Sequence, residues 1–306
     1  MAPRSTQMKA APVLLLLFLL GHTGGRPVSE LLYPFGPEEG DTATPREDDG
    51  MSPEILLWET FSFYGVPHRS LYVNNNGVVS FRTGVSEFTP NPFPLPGHRP
   101  FVAPYWADVD TRLGGDVFYR QTRSPELLAR LTRELAPAVS PPEQAPQPTW
   151  AFVATWDRVS FFGAASDKVN TFQAVLATDG VTSFIMLNYG DIQWTTGIAN
   201  QGDPHTGLGG VPAQAGFNSG DDVHYYNIPG SRSPAVLNIG RTSNVGVPGR
   251  WIFRVDVFTA TEGPPVPSEV PSTPPPPPPA TTPPPPPPTT TRRRRRTTEE
   301  ERVYLC

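Results

Sequence analysis

The 306-residue chain has one cysteine, Cys306, at its last position. Everything before it must fold without disulfides, so a small stapled framework, a thiolate metal cluster and a thiol nucleophile are all excluded there. Lysine is nearly missing: between Arg26 and Phe258 only Lys168 occurs, and 24 acidic residues face 16 basic ones, a formal balance of −8. That balance argues against nucleic acid as a partner, which needs a basic face. No Asn-x-Ser/Thr triplet occurs, so N-glycosylation is not expected. G-x-S-x-G and H-E-x-x-H are absent, and His68, His98, His205 and His224 are scattered through loop-like or strand-edge contexts. The glycines Gly207 to Gly210 lack the Lys-Ser/Thr of a phosphate loop and read as a turn. The chain therefore reads as a non-enzyme. Paired acids alone do not place two carboxylates across a glycosidase cleft.

Long apolar runs are also missing. The one greasy stretch, Val13 to Leu20, is far short of the roughly 20 residues that span a bilayer, so no membrane span is expected. With Arg4 and Lys9 before it and small residues to Gly25 after it, residues 1–25 read as a secretory signal peptide. The chain is therefore expected to be secreted. The other end is rich in proline and threonine, with two six-proline runs, Pro274 to Pro279 and Pro283 to Pro288. Residues 261–306 read as a disordered, polyproline-like stalk. The run Arg292, Arg293, Arg294, Arg295 and Arg296 has three readings: contact with a polyanion such as heparan sulfate, a protease processing site, or a solvated spacer. Cys306 reads as the first cysteine of a further disulfide-rich module, or as an inter-chain link.

What remains, residues 26–260, is long enough to bury roughly 70–75% of its unfolded surface. Its pattern is mainly β. Phe101 to Val109 is nearly continuous apolar, as in a strand covered on both faces. Trp150, Phe152, Ala154 and Trp156 alternate onto one face, and Asp179-Gly180 separates two strands as a hairpin turn. Short strands divided by Gly, Pro, Asn and Asp predict an antiparallel β-sandwich or jelly-roll-like domain. One amphipathic helix interrupts it: Ser124 caps, Pro125 opens, Leu127, Leu131 and Leu135 share a face, and Pro137 stops it.

The segment Tyr72 to Phe81, YVNNNGVVSF, places three asparagines and a glycine inside an apolar run. Asn and Gly tolerate positive φ, so a turn accounts for the stretch without a ligand. With Asn76-Gly77 at the turn, Tyr72 faces Phe81; with Asn75-Asn76, Val73 faces Val78.

Asp108 and Asp110 are two apart, so on a strand their carboxylates share a face and could meet one calcium ion, with Asp116 joining after a Gly-Gly turn. The simpler reading is a strand end at which Asp caps the turn into Thr111 and Arg112. No cofactor is required, with calcium kept as the alternative. Asp48-Asp49 and Asp221-Asp222 lie beside glycines and read as turns. Among the six tryptophans, Trp106, Trp150 and Trp156 read as core, while Trp194 sits nearer a loop and is the candidate for stacking on a sugar or a partner.

Seven collinear blocks, LYVNNNGVVSF, VAPYWADVDT, GDVFYRQT, WAFVATWDRVSFFG, NTFQAVLATDG, QAGFN and VPGRWIFRVD, together resemble the nidogen-type extracellular domain, NIDO. Leu32 to Gly36 and Asp48 to Gly50 resemble its start, and the likeness covers roughly residues 31–257. The resemblance implies a non-enzymatic adhesion module whose partners are extracellular matrix proteins or glycans. The alternative is a calcium-assisted, lectin-like carbohydrate binder on a similar sandwich.

Overall fold

The computed structural model describes residues 28–139 and 146–257, all within one unit, Met1–Val266. The signal-peptide, stalk, arginine-run and Cys306 readings lie outside the described residues.

Among the described residues, twelve strands form two antiparallel sheets. The first runs β1 (Thr42–Ala43), β6 (Asp116–Thr122), β7 (Trp150–Val159), β8 (Asn170–Thr178), β9 (Ser183–Ile192) and β12 (Arg250–Arg254). The second runs β11 (Tyr225–Asn227), β10 (Gln214–Asn218), β5 (Phe101–Trp106), β4 (Val78–Ser80), β3 (Val66–Asn74) and β2 (Ile55–Phe63). The inner faces meet in a core that includes Phe61, Val73, Val102, Tyr105, Trp150, Phe152, Trp156 and Leu187. Trp156 stacks on Phe172 at 5.0 Å, and its indole N–H donates to the Asn75 carbonyl. The alternation along β7 is as the sequence implies. Its even-numbered members face this core, while Ala151 and Val153 face the other way.

That other face is also covered, so β7 to β9 are buried on both sides. Helix α2 (Pro125–Leu135) lays Leu127, Leu131 and Leu135 on Val175, Phe184, Met186 and Ile252, and the Ser124 hydroxyl caps it by accepting from Leu127 N–H. A short 3-10 turn, Ala136–Ala138, carries Pro137 and ends the helical run. Tyr33, which follows the short helix α1 (Val28–Leu31), joins the same apolar layer. On the second sheet the loop bearing Val85, Phe93 and Leu95 covers Val78, Phe101, Ala103 and Trp106. This is why β5 is apolar throughout.

One turn register needs correction. Asn74 pairs with Val78 and Val73 with Val79, so the β3–β4 connection has three residues, Asn75, Asn76 and Gly77, and neither two-residue register holds. Only Gly77 takes positive φ, +80°, and a Cβ there would stand 1.9 Å from the Tyr105 carbonyl oxygen. The hairpin expected at Asp179-Gly180 joins β8 to β9 through four residues, since Thr178 pairs with Ser183. Asp179 closes it by accepting from the Val181 and Thr182 amides.

Candidate functional site

The asparagine knot is buried and acts as a structural hub. Asn74 donates to the Val78 carbonyl and the Ser80 hydroxyl while accepting from Val85 N–H. Asn75 donates to the Pro45 and Glu47 carbonyls and accepts from the Thr44 hydroxyl, tying the incoming segment 44–47 to the sheet. Asn76 accepts from Val109 N–H (2.8 Å) and donates to the Asp49 carboxylate (2.7 Å). Each side chain satisfies groups that would otherwise be buried without partners. The turn read from the sequence is thus also the peg that positions both acidic segments.

Those segments meet at one end of the sandwich. Asp48, Asp49 and Asp108 each bring a carboxylate oxygen within 4.8 Å of the others. Asp108 is only 2% exposed, and its Oδ2 has no hydrogen-bond partner; the buried Oδ1 of Asp48 has none either. Burial, followed by the negative fields of Asp48, Asp49 and Asp110, pushes the Asp108 carboxyl up to about 7, partly offset by the Ala199 N–H. Burial and Asp110 likewise raise Asp48, against the pull of Arg112.

The carboxylates that the sequence grouped part company. Asp110 is held by Arg112, whose Nε and Nη2 donate to its two oxygens at 2.8 and 2.7 Å, while it also accepts from Arg112 N–H. This is the turn-capping arrangement. Asp116 does not join the cluster: it lies on β6 and is gripped by Arg46 at 2.7 and 2.8 Å. Asp48 and Asp49, read as a turn, take its place. Trp194 is fully buried, its indole N–H donating to the Val159 carbonyl and its ring packed on Phe161 and Tyr105. No face of it is open to a sugar, so it does not supply the stacking platform of a lectin. The exposed tryptophan is Trp58, 56% exposed on edge strand β2 beside Leu56 at 71%, with the Arg123 guanidinium over its ring. It lay outside the runs read as strands, because apolar residues occupy both faces at this end of β2. The signal that would have found it is the alternation Leu56, Trp58 against the inward Ile55 and Leu57.

A disulfide-free two-sheet sandwich, roofed by a helix on one face and a loop on the other, defines a β-sandwich module. The chain belongs to the nidogen-like domain family, NIDO, whose model matches residues 69–257. It is similar to human alpha-tectorin, 52% identical over 228 residues, which is 74% of this chain and 10% of that protein. It is similar to mouse nidogen-1 at 33% identity over 267 residues, 82% of this chain and 21% of that protein. It is also similar to human nidogen-1 at 32% identity over 290 residues, 88% of this chain and 22% of that protein. The chain thus spans about a tenth of the alpha-tectorins and about a fifth of the nidogens it matches. No solved structure matches it. These relatives are secreted proteins of the extracellular matrix, and the chain is placed there with them. Among the described residues no helix is long and apolar enough to cross a membrane.

Proposed function

We propose that the domain is a non-catalytic interaction module of the extracellular matrix that docks on matrix proteins through the exposed face of β2. Kinship with structural matrix proteins supports the non-catalytic part. The observation that carries the docking part is the outward pair Leu56 and Trp58 on the edge strand. The strand is held rigidly there: Gln121 accepts from Trp58 N–H and donates to the Leu56 carbonyl, so both side chains stand on a fixed backbone. An aromatic anchor on a preorganised strand loses little entropy on docking, and tryptophan is enriched at the centres of protein interfaces. Residues 1–25 then serve as a removable leader, 26–260 as the module, and 261–306 as a stalk whose Arg292 to Arg296 would meet sulfated glycans such as heparan sulfate. The test is retention of the secreted full chain on cell-laid, decellularised matrix. The pair Leu56→Ser and Trp58→Ala is expected to lower retention several-fold with an unchanged melting temperature. Equal retention of the variant, or none by the wild type, sinks the reading.

A further inference from the structure

We propose that Asp48, Asp49 and Asp108 bind a divalent cation, and that the ion is calcium. An ion held at 2.3–2.6 Å from each of its oxygens has ligands no more than roughly 5 Å apart, and the three carboxylates offer oxygens within 4.8 Å of one another. Proximity of acids alone would mean little. The independent sign is Asp108, which is 98% buried, faces the other two carboxylates, and leaves Oδ2 without any donor. Asp48 Oδ1 is a second buried oxygen in the same condition. Buried carboxylate oxygens ordinarily find donors, and a cation satisfies several at once.

The charge count points the same way. Four carboxylates, Asp48, Asp49, Asp108 and Asp110, converge here, and the cation bonded to them is Arg112, which is committed to Asp110 and to Oδ2 of Asp48. Arg112 therefore leaves Asp48 Oδ1, Asp49 and Asp108 uncompensated. The donors are also held in place before any ion arrives. Asn76 fixes Asp49, and the backbone of Gly197 presses against Asp108 so closely that a Cβ would lie 2.5 Å from Oδ2. The set is all oxygen, with no His or Cys, which fits a hard cation and not zinc. Calcium tolerates an irregular set completed by water, whereas magnesium demands near-ideal octahedral geometry.

The competing arrangement is a proton shared between the carboxylates, with no metal. Calorimetric titration of the chelator-stripped, secreted full chain with calcium chloride, alongside thermal melts in calcium, magnesium and chelator, separates the two. The expected result is one calcium per chain, a higher melting temperature in millimolar calcium than in chelator, and a smaller rise in magnesium. Asp108→Asn and Asp49→Asn should each weaken calcium binding at least tenfold, and Asp116→Asn, outside the site, should leave it unchanged. In chelator Asp108→Asn should melt no lower than wild type, because it removes like-charge repulsion, and this shows that the variant folds. Absence of a calcium-dependent shift in the wild type overturns the proposal, as does a full calcium response in both site variants. An equal response to magnesium overturns the assignment to calcium.

Discussion

Glu134 and Asp108 are both carboxylates drawn largely out of water, yet their surroundings are built on opposite plans. Glu134, on α2, accepts from Arg130 (3.1 Å), from the buried Arg250 (2.9 Å) and from the Tyr33 hydroxyl (2.5 Å). The two arginines spend their other donors on the Leu31 and Leu32 carbonyls and on Asn188. Burial and the neighbouring Glu134 together hold the Tyr33 phenol firmly protonated, raising it well above its usual range. Every strong group there has a partner within the chain. Around Asp108 the acids outnumber the guanidiniums, and two oxygens are left over. The first cluster is closed and its work is to fasten the N-terminal segment and the helix to the sheet. The second is open, and an open, rigid, buried charge cluster is how a protein prepares for something it does not itself contain.

The closed cluster stands on α2 and β12, the open one on loops placed by the β3–β4 turn, and the largest expected effect comes from breaking that turn. Gly77→Val should abolish secretion of folded protein, since its side chain would need positive φ and would drive into the Tyr105 carbonyl. Circular dichroism of whatever is secreted checks this, and a native-like melt would show the β3–β4 loop to be far more yielding than its contacts imply. Next comes Arg250→Ala, which strips the closed cluster of its most buried cation. Breaking a buried pair from one side costs roughly 3–5 kcal/mol, so denaturant unfolding should lose about that much stability. The double variant Arg250→Met, Glu134→Leu should recover much of the loss. If the single variant costs nothing, the cluster is not closed in the sense argued. Asn75→Ala should fall just below, at roughly 2–4 kcal/mol, because it leaves several buried groups unpaired.

How much of this was visible in the sequence follows from how local each signal is. The capped helix with Leu127, Leu131 and Leu135 was legible because cap, first-turn proline and four-residue spacing all lie within one segment. The two-sided burial of β5 was legible as a nearly continuous apolar run, whereas β7 was legible only as alternation onto one face, the cover over Ala151 and Val153 being supplied by tertiary packing. The open cluster was half legible. Asp108 was named, but its partners Asp48 and Asp49 lie some sixty residues upstream, and tertiary bridges from Asn75, Asn76 and Arg112 bring them over. Asp116 was grouped by nearness in sequence and is claimed by Arg46 instead. The asparagines misled for a related reason: Asn tolerates turns, yet it also offers two donors and an acceptor to whatever the fold packs against it. The closed cluster was not legible at all, since Tyr33, Glu134 and Arg250 are brought together by tertiary packing alone.

His68 tests the comparison in a third way, as a buried ionisable group kept neutral. It packs face-on against Phe81 at 4.4 Å, and its Nε2 is buried without a hydrogen-bond partner. Burial, then the nearby charge of Arg82, depresses it to about 4. The unfolded chain takes up this proton near pH 6.5 and the folded chain does not, so the unfolded state binds more protons below that point. Stability should therefore decline as pH falls from 6.5 toward 4, by about 2 kcal/mol at pH 5. His68→Phe should lack this component of the pH dependence while keeping the packing on Phe81. Urea unfolding at pH 7.5 and pH 5 reads the difference, and identical slopes for the two proteins would mean that the imidazole reaches water.

The smallest effect belongs to Asp116, which nearness in sequence had grouped with Asp108 and Asp110. Asp116 meets Arg46 in a two-point contact, but Arg46 is mostly in solvent, so water can replace either partner as soon as the other is removed. The Coulomb gain is weakened by the high dielectric and by salt, and two side chains lose rotamer freedom to make it. Asp116→Asn should leave the melting temperature unchanged within error, at low and at high salt alike. That outcome would set the three carboxylates in order. In Asp116 the charge is managed by water, in Glu134 by the protein, and in Asp108 by neither. A clear destabilisation by Asp116→Asn at low salt that vanished at high salt would show instead that the rim of the acidic end is held by long-range fields. Arg46 would then belong with Arg112 as part of the counter-charge for that end of the sandwich.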